Sequence, residues 1–153
     1  MTDQIQQPRD NAGRFLRWTA VAFAIGFAVH GLDHLRRGMS ASPPFIMVGG
    51  TVQGLFVAAA IVMVLARRRQ APLAAIAVGF GSALVFTYAH LLPTVLPAYQ
   101  DSFISPPHVN VTWFSWVSAV AEIGTGIMFG VAGIRSIRRS AEADTLLAGN
   151  AAG

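Results

Sequence analysis

Residues 15–37 read FLRWTAVAFAIGFAVHGLDHLRR, and the fold class turns on this stretch. From Phe15 to Val29 its one charged residue is Arg17. An apolar run of this kind approaches the roughly 20 residues that a helix needs to cross a bilayer. It then ends in His30, Asp33, His34, Arg36 and Arg37. Asp33 and His34 follow His30 at i+3 and i+4, so all three share one helical face. Ionisable groups at membrane depth are expensive, which makes them candidates for a functional site.

Working outward, three more segments have the same character. The spans run from about Phe15 to Leu35, Phe45 to Ala66, Pro72 to Leu92 and Val111 to Ile134. Pro72 suits a helix start, and Pro43, Pro44, Pro106 and Pro107 stand just before the second and fourth spans. Gly38 and Pro93 suit the ends of the first and third. The fold expected is an all-α integral membrane protein, an antiparallel bundle of four transmembrane helices forming one domain over residues 14–139. The polar residues 1–13 and the Ala/Gly-rich residues 140–153 are expected to be disordered tails. No small-residue cleavage site follows the first span, so it is read as retained.

Composition agrees with this class. Only 12% of the 153 residues are charged, half the share of an average soluble domain. Without cysteine, disulfides, thiolate metal sites and cysteine nucleophiles are excluded. The net charge of +4 comes from 11 arginines, with no lysine. This composition is associated with high-GC bacterial genomes. Arg9, Arg14, Arg17, Arg67, Arg68, Arg69, Arg135, Arg138 and Arg139 fall on one side of the bundle, and Arg36 and Arg37 on the other. The charge is therefore topological, with no nucleic-acid partner implied. The positive-inside rule places both termini in the cytoplasm of a multi-pass cell-membrane protein.

Counting from the cytoplasmic ends, His30, Gln53, Thr87 and Glu122 each lie roughly 18–22 Å along their helices at the standard rise. Each helix thus contributes a polar group to one layer, and these four are the candidate ligand-binding residues. His34 and His90 sit about one turn further out. Asp33 has an ordinary explanation, an ion pair with Arg36 or Arg37; the functional alternative is that it orients or joins the imidazoles. An acid as deep as Glu122 must be neutralised, paired or hydrated. Gly126 and Gly130, with Ser118, Ala119 and Gly133, make a small-residue stripe that turns Glu122 toward packed protein. Gly50 and Gly54 flank Gln53, and Gly26 lies one turn before His30.

The long third loop, Pro93 to about Asn110, suits an interfacial position or a cap on the bundle mouth. His108 in it reads as a solvated loop histidine. Trp113 and Trp116 read as belt anchors at the membrane edge.

No phosphate-binding loop, nucleophile elbow or paired zinc signature occurs, and no catalytic residue is assigned. The leading reading is a small accessory or ligand-binding membrane protein with an outward-facing polar site. The main alternative is a transition-metal site formed by His30, His34 and His90 with Asp33 or Glu122, for zinc, copper or iron. A further alternative is a b-type haem held between a histidine of the first span and His90. A proton-coupled transporter using Glu122 and His30 comes last. The bilayer is the expected partner, and a homo-oligomer or membrane complex stays open.

Overall fold

The computed structural model describes residues 2–151, with side chains described for 11–146, 148 and 149. It is all-helical, with no strand among the described residues: α1 Thr2–Arg37, α2 Pro44–Leu65, α3 Ala71–Phe86 and α4 Trp113–Ala151. A π-helical turn, Thr87–Leu91, continues α3, and a short 3-10 turn, Pro97–Tyr99, lies in the long loop before α4. Among the described residues, four stretches are long and apolar enough to cross a membrane: Asn11–Arg37, Pro44–Leu65, Ala71–Leu91 and Trp113–Leu146. The C-terminal ends of α1 and α3 meet the N-terminal ends of α2 and α4, so successive helices run antiparallel.

Helix ends depart from the sequence expectation in one consistent way. The helical backbone of α1 and α4 continues through residues 2–13 and 140–151, where tails without structure were expected; residues 1, 152 and 153 lie outside the described residues. Apolarity marks where a bilayer would end, whereas the helical hydrogen-bond ladder needs no apolar surroundings to continue. After Ser140, good helix formers such as Ala141, Glu142 and Leu146 extend it. Arg139 and Glu142 add an exposed i,i+3 pair at 3.4 Å.

Two regions divide the interior. The half nearest the termini is an apolar core in which Phe23 stacks on Phe129 with ring centroids 5.5 Å apart, among Leu16, Ala20, Val57, Ala60, Ala75 and Ala132. Close helix contact sets the α3–α4 seam. A Cβ on Gly79 would stand 2.5 Å from the Gly126 carbonyl oxygen, and one on Gly133 would stand 2.5 Å from that of Pro72. The small-residue stripe of α4 is therefore a helix–helix contact, as its spacing indicates. In the other half, α2 leans away. Its buried residues are Val57, Ala60 and Val64, all past its midpoint, and a cavity opens between its first turns and the ends of α1 and α3.

Candidate metal centre

Three imidazoles meet at the end of the bundle opposite the termini. His30 and His34 come from adjacent turns of α1, one face apart by i+4, as their spacing requires. His90 comes from the π-helical turn. A π turn inserts an extra residue into the ladder, rotating the side chains that follow, and such turns recur at functional sites. His30 Nε2 lies 3.2 Å from both His90 Nε2 and His34 Nε2. One ring nitrogen from each histidine lies within 4.8 Å of the other two. The ring centroids of His34 and His90 are 5.6 Å apart against 4.8 Å for the other two pairs, so the set is a triangle with His30 at its apex.

The second nitrogen of each ring fixes the first. His90 Nδ1 donates to the Asp101 carbonyl oxygen at 3.0 Å. His34 Nδ1 lies 3.1 Å from Ser42 Oγ, whose proton goes to Asp101 Oδ2 at 2.7 Å. His30 Nδ1 lies 3.4 Å from Ser118 Oγ, whose proton goes to the Ser115 carbonyl at 2.9 Å. With each serine hydrogen on that oxygen, the hydroxyl accepts from the imidazole, which makes Nδ1 the protonated ring nitrogen. All three rings are thereby assigned the Nδ1–H tautomer, and three bare Nε2 lone pairs face one another. Bare lone pairs repel unless something electron-poor lies between them.

The long loop supplies much of this arrangement, and here sequence reasoning missed a residue. Asp101 is buried and binds Arg37 bidentately, at 2.6 Å and 2.8 Å. Arg37 also lies over the Phe103 ring, 5.2 Å from its centroid. Burial pushes the Asp101 carboxyl up, but hydrogen bonds from Arg37 and Ser42 prevail and hold it below its ordinary value. Helix ends leave carbonyls without partners, and the loop supplies them. Gln100 Nε2 reaches the Tyr88 oxygen, the amides of Asp101 and Phe103 reach those of Ala89 and His90, and Ser102 Oγ reaches that of Leu92. The loop thus caps the bundle mouth, one of the two positions expected for it. His108 is exposed, as expected.

The other candidates scatter. Asp33 is buried and belongs to Arg36, at 2.8 Å, and to Ser115, whose hydroxyl donates to it at 3.1 Å; it is outside the histidine group. The ordinary reading of Asp33 is the one the geometry favours, with Arg37 taken by Asp101 instead. The Thr87 hydroxyl donates to Ala83 O of its own helix at 2.7 Å and joins no site. Its depth matched the layer, but a threonine in a helix can satisfy itself locally. Gln53 donates to Ser82 across α2 and α3 and also lines the cavity. Glu122 is fully buried against Gly26 of α1, and neither carboxyl oxygen has a hydrogen-bond partner among the described residues. Ser118, one turn along α4, is the residue that reaches His30.

Comparison with family models, with curated proteins and with solved structures returned no match. The chemistry of the site therefore rests on its geometry alone.

Proposed function

We propose that this chain is a multi-pass membrane protein with cytoplasmic termini that binds one divalent transition-metal ion through Nε2 of His30, His34 and His90, at the outward end of the bundle. One observation carries the reading: ring nitrogens of three histidines from two helices lie within 4.8 Å of one another, while the Nδ1 of each ring faces an oxygen. Zinc takes imidazole nitrogens at about 2.0–2.1 Å, so tetrahedral ligands stand about 3.3 Å apart. The two 3.2 Å edges match that separation. Three histidines leave a tetrahedral ion one open position, the pattern of reactive rather than purely structural zinc sites.

A haem does not fit the same atoms. Axial imidazoles must stand on opposite faces of the macrocycle, and nitrogens 3.2 Å apart leave no room for it between them.

Metal analysis of purified protein equilibrated with zinc and then desalted tests the proposal. One ion per chain is expected in the wild type and in His108→Ala, with loss in His30→Ala, His34→Ala and His90→Ala. A wild type that retains no zinc, or three variants that all retain it, overturns the assignment.

A further inference from the structure

Beside the histidines lies a cavity of about 600 Å³, within the range of small-molecule sites. His30, His34 and His90 form one end of it. Gly31, Gly49 and Gly50 line it as well, and a Cβ at any of the three would meet nothing within 4 Å. Glycine inside a helix is less favourable than alanine. No positive φ requires it at these positions, and no neighbouring helix crowds them, in contrast to Gly26, Gly79 and Gly133. The three glycines keep volume clear instead of closing a contact. The rim is apolar and exposed, formed by Leu35, Met39, Phe45 and Leu96, so the cavity opens toward whatever surrounds the bundle.

Charge narrows the occupant. The cavity wall contains no Asp, Glu, Lys or Arg. Three neutral imidazoles leave a divalent ion its full charge, and an uncompensated charge in an apolar site is costly. Of the buried acids, Asp33 is engaged by Arg36 and Asp101 by Arg37, while Glu122 stands outside both the histidine group and the cavity wall. Compensation must therefore come from an incoming group.

On the metal reading above, we infer that the cavity takes a long-chain amphiphile with an anionic oxygen head, a fatty carboxylate being the simplest. Its chain lies along the glycines of α2, and its head takes the open position on the ion. The molecule enters sideways, from the apolar phase around the bundle.

The test uses full-length protein in phosphatidylcholine nanodiscs, loaded with Co(II), whose visible spectrum reports its ligands. Palmitate is expected to change the spectrum saturably, while hexadecane (a chain without the head) and acetate (a head without the chain) leave it unchanged at equal concentration. Gly50→Leu and Gly49→Leu are expected to keep the cobalt spectrum and weaken the palmitate response at least tenfold. Cobalt bound without any palmitate response overturns this inference and leaves the metal site standing. So does acetate acting as well as palmitate, or a response that both leucine variants retain. Failure to bind cobalt removes the metal reading and this inference together.

Discussion

Ser42 and Ser118 do for the imidazoles what their own chemistry could not. A neutral histidine offers either nitrogen as the lone pair, and three free to choose would not present the same one. With each serine hydrogen on a nearby acceptor, Asp101 for Ser42 and the Ser115 carbonyl for Ser118, each hydroxyl receives from Nδ1. Ser42→Ala and Ser118→Ala are therefore expected to lower zinc affinity about 10- to 100-fold, the usual cost of losing a partner that orients a ligand. Stoichiometry at saturation should be unchanged. Competition titration against a chelator of known affinity reads this directly, and unaltered affinity in both variants would contradict the tautomer assignment. At this scale the sequence exposed His30 and His34 through their i+4 spacing, but neither serine. Nothing in the chain's order shows that residues 42 and 118 approach residues 34 and 30, because those meetings depend on how the helices pack.

Among the elements, the π-helical turn and the loop after it matter most. Thr87–Leu91 re-aims His90, and Gln100–Phe103 caps the carbonyls that the end of α3 leaves without partners. Arg37 and Asp101 fasten this loop to α1 through a buried pair. Removing one partner strands the other charge, so Arg37→Met is expected to cost about 3–5 kcal/mol, seen as a lower melting temperature in detergent. The pH dependence follows from the sign of the Asp101 shift. Its carboxyl is held low in the folded protein, so its contribution is fully present above the ordinary aspartate value of about 3.9 and is lost as pH falls through the depressed one. Wild type should lose melting temperature with acid over that window, and Arg37→Met should lose less. An equal slope in both would show that the pair does not govern it. The sequence did contain a signal for this pair. The end of the chain away from the arginine-rich side has two arginines, Arg36 and Arg37, and two acids near them in the expected topology, Asp33 and Asp101. Matching charges at that end pairs them two by two.

The whole molecule is a tight half joined to a loose half. Near the termini, glycine lets α3 and α4 touch backbone to backbone, while near the loops α2 stands off and leaves the cavity. Two glycines of α3 separate these roles. A Cβ on Gly79 would press on the backbone of Gly126 and Gly130, whereas one on Gly81 would stand in open space. Gly79→Ala is accordingly expected to destabilise by about 1–3 kcal/mol through overpacking. Gly81→Ala should be neutral or stabilising by up to about 1 kcal/mol through helix propensity. Parallel thermal denaturation of the two variants checks the contrast, and similar melting temperatures would refute the seam as described.

What the chain's order alone determined is what depends on neighbours along it. Run length and apolarity mark four helices, i+4 spacing puts His30 and His34 on one face, and the i+3 step from Asp33 to Arg36 makes their pair. Matching depth brought forward His30, Gln53, Thr87 and Glu122 together, yet Thr87 bonds within its own helix and Glu122 packs against Gly26. Depth fixes one coordinate of a side chain and leaves its rotation about the helix axis free. Tertiary packing decided that rotation, and with it the inclusion of His90, the role of Asp101 and the two serines, and the cavity beside them. Those features arise where separate helices and a loop meet, so their energies are set by distances in space that sequence separation does not encode.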